Sequence, residues 1–221
     1  KKRILVIPNG INTGSAFLHK PKDPNSIIII SLGRLVKQKA YETAIQSIAK
    51  VKTNLPPHFN LKYRIVGNGP EKKKIIKTIR KYDLVDEIEV ITDSANVFEL
   101  LQSANIYLCT SIFEGLSNAV MEAMKCGLPV VATDVGDNSQ LVIHGKSGFI
   151  TNPGDSKAIA EHINQLVNSP EMPVHMGSIG YAHLVKNFSY EKFKRNYLMV
   201  IRHVEDLQIR QGKQVVNEVS T

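Results

Sequence analysis

The chain has 221 residues, of which 43% are hydrophobic, so it has the length and composition of a folded protein with a sizeable core. Its net charge of +8 suits an anionic partner such as a nucleotide, a nucleic acid or an acidic membrane face. No apolar run approaches the ~20 residues that span a bilayer, and the apolar part of "KKRILVI" is too short for a signal peptide. Cys109 and Cys126 lack metal-ligand spacing and are expected to be buried, and the simplest location is the cytoplasm.

Short apolar segments alternate with amphipathic ones along the chain. The apolar segments are rich in Ile and Val and predict strands over 26–33, 61–67, 87–92, 105–111 and 128–134. Helical spacing of apolar residues predicts helices over 39–52, 70–82, 95–103 and 117–126. Strands that are apolar throughout and alternate with helices indicate a parallel sheet covered on both faces. The predicted fold class is therefore α/β, with a three-layer, Rossmann-like α/β/α domain over residues 25–170.

The two ends of the chain are predicted to lie outside this domain. Residues 1–24 predict a connector with one lone strand, a Pro-Asn-Gly turn and a polar linker. Residues 171–210 predict two helices that are separated near Asn187–Ser189, with Ser189 as the N-cap of the second. Residues 211–221 are polar, and we expect a frayed tail. Because the lone strand has no partner before it, we expect the chain to have been cut from a longer protein.

The loops beyond the carboxyl ends of the strands are the candidate site, since open parallel sheets bind ligands there. Gly33, Arg34 and Lys39 follow the first strand, and two cations beside a helix N-terminus suit a diphosphate. With 28 Lys and Arg in the chain, the same cations could be ordinary surface residues. Gly67 and Asn68 in "VGNGP" fit either a close backbone approach to a flat ligand or a tight turn.

The next loop, "ITDSAN", offers Asp93 for a base edge, although Ser94 could instead cap a helix. The loop after the fourth strand, "FEGLSNAVMEAM", holds Glu114 and Glu122 in a stretch that is otherwise uncharged. A surface pair with Lys125, worth ~0.2–0.5 kcal/mol, could account for Glu122. Nothing comparable accounts for Glu114.

The turn after Glu114 is predicted to lead into a helix that Ser117 or Asn118 caps. Backbone amides of residues 115–118 would then point to the same place as the two cations. That place suits a phosphate, and carboxylates beside it suit hydroxyl groups. The residues therefore predict a nucleotide-sugar as the ligand.

Five segments together resemble the glycosyl transferases group 1 family of retaining glycosyltransferases with the GT-B fold. They are "VIPNGIN", "GRLVKQKA", "IVGNGP", "SIFEGLSNAVMEAMKCGLPVVATDVG" and "GKSGFI", in the family's order and spacing over about residues 4–170. The Glu-x7-Glu element is the most specific part. The resemblance implies two Rossmann-like domains with the active site between them. It identifies this chain as the C-terminal, donor-binding half, expected to be inactive alone because the acceptor-binding half is absent.

The resemblance also implies a role for each candidate residue. Arg34 and Lys39 would bind the donor diphosphate, Glu114 and the amides after it the transferred sugar, and Glu122 the ribose. Catalysis would fall to Glu114, Arg34 and Lys39, and the loops at "VGNGP" and 92–97 would surround the base. The implied donor site comprises Gly33, Arg34, Lys39, Gly67, Asn68, Asp93, Glu114, Gly115, Leu116, Ser117, Asn118 and Glu122.

The expected reaction is hexosyl transfer from a UDP-, GDP- or ADP-sugar to a hydroxyl acceptor, in polysaccharide or glycoconjugate synthesis. We expect no cofactor and no metal, and no nucleic-acid partner because basic and aromatic residues are not interleaved. The inner face of an anionic membrane is a candidate peripheral contact.

Three departures from the family pattern leave two alternatives open. Ala40 stands where the family usually has Gly, Asp137 and Gln140 stand where it usually has a Gly and a Glu, and "VIT" replaces a common "FxG". A nucleotide-sugar-binding module without catalysis and a nucleotide-sugar epimerase of the same fold are the alternatives.

Overall fold

A computed structural model describes residues 6–14, 25–56, 59–92 and 96–219, with side chains described as far as residue 205. Within these residues six strands are present: β1 Ser26–Leu32, β2 Asn60–Val66, β3 Ile88–Ile91, β4 Ile106–Cys109, β5 Val130–Thr133 and β6 Gly148–Thr151. The helices are α1 Tyr41–Asn54, α2 Lys72–Lys81, α3 Val97–Ser103, α4 Asn118–Lys125, α5 Asn138–Leu141, α6 Ser156–Val167, α7 Glu171–Phe188 and α8 Tyr190–Val219. A single turn of 3-10 helix, Lys37–Lys39, precedes α1.

The strands form one parallel sheet in the order β3-β2-β1-β4-β5-β6. Strand β1 pairs with β2 along its whole length, from Ser26↔Asn60 to Leu32↔Val66. On its other side it pairs with β4 through Ile29↔Ile106 and Ile30↔Tyr107. The strand order therefore changes direction between β1 and β4, which makes that position the topological switch point. The loops after β1 and β4 lie beside each other there.

The alternation of side chains along β1 supplies both cores. Ile27 and Ile29 are buried in the cluster that contains the apolar faces of α1 and α6. Ile30 and Leu32 belong to the cluster on the other face, which contains those of α4 and α7. A parallel sheet with an apolar helical layer on each face is the predicted three-layer α/β/α arrangement, and that prediction is confirmed.

All five predicted strands and all four predicted helices are present, most with ends that differ by one or two residues. Strand β6 and helices α5 and α6 were not predicted as separate elements, although all three lie inside the predicted 25–170 domain. Strand β6 is only four residues long and begins with Gly148, so its sequence contains no apolar run to recognise. It pairs in parallel with β5, beginning with Val130↔Gly148.

The start of the chain contacts the junction between the last two helices. Residues 1–5 of the predicted lone strand lie outside the described residues, and residues 6–10 are not in a strand. Ile11 instead bridges Ser189: its N–H donates to the Phe188 carbonyl at 2.9 Å, and its carbonyl accepts from Tyr190 N–H at 2.9 Å. The Ser189 hydroxyl accepts from Lys192 N–H at 3.3 Å, which confirms the predicted cap.

Helix α8 is longer than the sequence predicted. Its backbone remains helical to Val219, past the end expected near residue 210 and through most of the segment expected to fray. In the part of the chain that the structure describes, no helix is both long enough and apolar enough to cross a membrane.

Candidate functional site

Hydrogen bonds join the loop after β1 to the loop after β4. Ile112 N–H donates to the Gln38 carbonyl at 2.9 Å, and the Gln38 amide donates back to the Phe113 carbonyl at 2.7 Å. The Thr110 hydroxyl donates to the Lys39 carbonyl at 2.9 Å. The two loops at the switch point are therefore one connected unit, and the predicted site residues on them have fixed relative positions.

An ion pair between Lys39 and Glu114 lies at the centre of this unit. Lys39 Nζ is 2.5 Å from Glu114 Oε1, and the two side chains are only 17% and 9% exposed. The hydroxyl of Ser111 donates to the same oxygen at 2.6 Å. Both hydrogen bonds are charge-assisted and so belong to the stronger class. The structure thus brings together a predicted phosphate-binding cation and the carboxylate that the sequence left unexplained.

The glycine loop after β2 packs directly on the loop after β1. Leu35 N–H donates to the Asn68 carbonyl at 2.8 Å, and Gly33 N–H to the Val66 carbonyl at 3.0 Å. Gly67 has φ +149°, and a Cβ there would lie 2.0 Å from the Gly33 carbonyl oxygen. The contact between the two loops therefore requires glycine at this position, with or without a ligand.

Two polar side chains beside these loops face solvent. Arg34 and Asn68 are exposed, and the Asn68 side-chain oxygen accepts from Gly69 N–H at 2.8 Å. No described residue forms an ion pair with Arg34. Its guanidinium is therefore available to an anion at this edge of the sheet.

The loop after β3 is described only in part. Asp93 and Ser94 lie outside the described residues, so the base contact predicted for Asp93 remains a prediction. The alternative of a helix cap at Ser94 is wrong, because α3 begins at Val97 and its N-cap is Asn96. Asn96 caps α3, since its side-chain oxygen accepts from Glu99 N–H at 3.2 Å.

The turn from Glu114 into α4 presents exposed backbone. Gly115 and Asn118 are exposed, whereas Leu116 is half-buried and packs on the core that contains α4. Of the two predicted caps, Ser117 is the one observed: it is buried, and its hydroxyl accepts from Val120 N–H at 3.5 Å.

The backbone after β5 supports this turn from behind. Gly136 has φ +56°, and a Cβ there would lie 2.3 Å from the Glu114 carbonyl oxygen. Asp137 N–H donates to the Gly115 carbonyl at 3.3 Å. A glycine at 136 is therefore a requirement of the packing behind Glu114.

Glu122 projects from α4 as an exposed residue whose side chain has no hydrogen-bond partner among the described residues. Among the described residues no ion pair within 4.0 Å joins its carboxylate to Lys125, and Lys125 Nζ lies 5.8 Å from the Phe98 ring centroid, so the surface pair is at most a long-range one. Partial desolvation raises the pKa of the Glu122 carboxyl above its ordinary value, and the charge of Lys125 opposes this shift. A carboxylate that the protein itself does not satisfy is available to a ligand.

The structure accommodates two of the departures noted in the sequence. Ala40, between the 3-10 turn and α1, has the left-handed conformation with φ +47° and ψ +44°, which costs a residue with a Cβ about 1–2 kcal/mol. The Gln140 side-chain amide donates to Asp137 Oδ1 at 2.8 Å, so the two altered residues contact each other.

Sequence reasoning missed three residues that organise the site: Gln38, Thr110 and Ser111. For Thr110 and Ser111 the signal available was the polar "TS" that ends the predicted strand 105–111, with Ser111 three residues before Glu114. Within the described residues, no group of three or more His, Cys, Asp and Glu side chains is placed to hold a metal ion.

The fold and the connected loops define a Rossmann-like α/β/α domain with a partly buried ion pair at its switch point. The chain belongs to the family Glycosyl transferases group 1, which it matches over residues 16–183.

The chain is similar in sequence to proteins from several bacteria. Over 170 residues the chain is 28% identical to N-acetyl-alpha-D-glucosaminyl L-malate synthase of Bacillus anthracis, covering 77% of this chain and 44% of that protein. Over 172 residues it is 34% identical to the putative colanic acid biosynthesis glycosyltransferase WcaL of Salmonella typhimurium, covering 73% and 41%. The chain therefore spans less than half the length of either relative.

Solved structures share the fold. A mutant of S. aureus TarM, in complex with Fondaparinux, alpha-GlcNAc-glycerol and UDP, superposes with a TM-score of 0.80 at 25% identity, covering 90% of this chain and 39% of that one. Anabaena HepE in complex with UDP and glucose superposes with a TM-score of 0.79 at 24% identity, covering 90% and 56%.

Proposed function

We propose that this chain is the donor-binding part of a retaining glycosyltransferase that moves a hexosyl group from a nucleotide-sugar to a hydroxyl acceptor. The observation that carries the proposal is the Lys39–Glu114 pair at 2.5 Å on the two loops of the switch point. A cation and a carboxylate side by side suit a ligand that combines a diphosphate with hydroxyl groups. The names of the relatives and the UDP bound to TarM support the same ligand class.

In this proposal, Arg34 and Lys39 bind the diphosphate. Arg34 is exposed and unpaired among the described residues, and Lys39 lies at the start of α1. As the bond to the sugar breaks, negative charge develops on the leaving diphosphate, and cations that are already positioned stabilise that charge. The proposal requires no metal or other cofactor, because these two side chains supply the positive charge.

The sugar and the nucleoside would contact the remaining candidate residues. Glu114 and the exposed backbone at Gly115 are proposed to hold the transferred sugar, and Glu122 the ribose hydroxyls. The assignment of Glu122 is supported by its exposed carboxylate, which has no hydrogen-bond partner among the described residues. The loop with Gly67 and Asn68 is proposed to border the base.

The acceptor is proposed to bind to a further domain that faces this edge of the sheet. The chain spans 44% and 41% of the two named relatives, which supports a larger whole protein. The name of WcaL supports a role in polysaccharide synthesis. We further propose a cytoplasmic location with peripheral contact to an anionic membrane, supported by the net charge of +8.

Calorimetric titration with UDP, GDP and ADP, and with the corresponding nucleosides, tests the diphosphate contact. Arg34→Ala should weaken the binding of whichever diphosphate the chain binds by about 1.5–3 kcal/mol, the range for a hydrogen bond to a charged group. The binding of the corresponding nucleoside should stay unchanged. Arg80→Ala is the matched control, because Arg80 is an exposed cation at the opposite end of α2. The proposal fails if no diphosphate binds, or if both Arg variants weaken binding equally.

A further inference from the structure

We infer that Ser111 is a positioning residue of the proposed donor site. With Lys39 it holds Oε1 of Glu114, so that Oε2 is the oxygen that accepts a hydrogen bond from a hydroxyl of the transferred sugar. This inference rests on the proposed function and assigns a role to a residue that contacts no ligand itself.

The Ser111 hydroxyl has a defined direction. Its oxygen is 2.6 Å from Glu114 Oε1, and because an ionised carboxylate only accepts, the serine is the donor. The thiol of Cys109 donates to the serine oxygen at 3.6 Å. Burial raises the pKa of the Cys109 thiol, which keeps it a donor. The single proton of the serine is thus directed to the carboxylate.

The backbone of Ser111 is held as firmly as its side chain. The Thr133 hydroxyl donates to the Ser111 carbonyl at 2.6 Å, and the Asn138 side-chain amide donates to the Thr133 carbonyl at 3.0 Å. Ser111 is 1% exposed and the other two residues are 0% exposed. The hydroxyl that contacts Glu114 is therefore anchored through β5 and α5 in the core.

The two carboxylate oxygens of Glu114 have different hydrogen-bond partners. Oε1 accepts from both Lys39 and Ser111, whereas Oε2 has no hydrogen-bond partner among the described residues. Two donors on one oxygen fix the rotation of the carboxylate, so Oε2 has one direction in which to meet a hydroxyl. If Ser111 only stabilised the turn, its removal would not change the affinity for a nucleotide-sugar relative to that for the diphosphate alone.

The test compares a nucleoside diphosphate with its glucose ester, using UDP, GDP and ADP and their glucose esters as probes. Ser111→Ala should weaken the binding of the nucleotide-glucose by about tenfold, equivalent to ~1.4 kcal/mol, and change that of the diphosphate by less than about twofold. Ser111→Thr keeps the hydroxyl, whereas Ser111→Val has the shape of threonine without it. The threonine variant should therefore bind the nucleotide-glucose more tightly than the valine variant. Ser47→Ala, which removes another fully buried serine hydroxyl, should leave the ratio of the two affinities unchanged.

A thermal unfolding cycle tests the contact without any ligand. Ser111→Ala should lower the midpoint clearly in the wild-type chain and by much less in a Glu114→Ala chain, because the partner is then gone. Equal shifts in both chains, or equal losses of diphosphate and nucleotide-glucose affinity, would overturn the inference. If no nucleotide binds to the wild-type chain, the proposed function fails and the sugar-contacting role of Ser111 fails with it. The unfolding cycle would then still report whether Ser111 fixes Glu114.

Discussion

Replacing Lys39 by Met removes one charge of the central ion pair while keeping most of the side-chain volume. Removing one partner of a buried ion pair typically costs about 3–5 kcal/mol, because the other charge is left without compensation. The Lys39 side chain is 17% exposed, so water would reach Glu114, and Ser111 would still donate to it. We therefore expect a loss of about 2–4 kcal/mol in the free energy of unfolding, somewhat below the fully buried range.

A second substitution separates the ion pair from simple packing. Glu114→Gln removes the carboxylate charge but keeps an oxygen that can accept from Ser111. In the double variant neither charge remains, so the combined cost should be smaller than the sum of the two single costs by about 1.5–3 kcal/mol.

Urea unfolding at pH 7, followed by circular dichroism, measures these free energies. Lys50→Met is the matched control, since Lys50 is an exposed lysine on α1 without an ion pair among the described residues, and its loss should change stability by less than about 0.5 kcal/mol. Our reasoning is refuted if Lys39→Met is as mild as Lys50→Met, or if the two single costs add.

Two further substitutions test Glu122 and Ala40. Glu122→Gln should weaken ribonucleotide binding about fivefold in calorimetry, through the loss of charge-assisted bonds to ribose hydroxyls. Because the folded-state pKa of Glu122 is raised, the wild type loses stability as the pH rises through that pKa. In unfolding measurements Glu122→Gln should therefore have a higher free energy of unfolding than the wild type at pH 7 and the same value at pH 3. Ala40→Gly should raise the thermal midpoint by about 2–4 °C. Glycine removes left-handed strain of about 1–2 kcal/mol from the folded state, and the greater conformational entropy of glycine in the unfolded state offsets part of this gain.

Each of these two expectations has its own control. For Glu122, the loss in affinity should shrink with the 2′-deoxyribonucleotide; equal losses with both sugars would exclude a ribose contact. For Ala40, the comparison is Ala49→Gly inside α1, where glycine should cost about 1 kcal/mol. Similar destabilisation at both positions would show that Ala40 is unstrained.

The sequence sufficed for the elements whose apolar residues form an unbroken run. "SIIIISLG" predicts β1 to within one residue, because a strand that is buried on both faces is apolar along nearly its whole length, with Ser31 as the one polar residue inside it. The same rule fails for β6, whose four residues begin with Gly148 and are recognisable only through their pairing with β5. The pattern also missed the helical backbone of α8 beyond residue 210, where the sequence is polar.

The candidate site was predictable residue by residue but not as an arrangement. Lys39 and Glu114 stand out in the sequence as charges in the loops that follow two predicted strands, yet they are 75 residues apart. Their contact depends on β1 and β4 being neighbours in the sheet, and strand order is a property of tertiary packing. The role of Ser111 depends on the same contact, and the strained conformation of Ala40 depends on how the 3-10 turn joins α1.

The contact of Gly67 with the carbonyl of Gly33 affects how substitutions at this edge of the sheet arise during evolution. Any side chain at 67 would force β1 and β2 apart at their carboxyl ends, so we expect selection to keep this glycine for assembly of the sheet, whatever ligand the site holds. Arg34 and Asn68, in the same two loops, have exposed side chains and no comparable steric constraint. Steric packing alone therefore leaves both of these positions free to change, so their conservation among relatives would report ligand binding, whereas that of Gly67 would report assembly of the sheet.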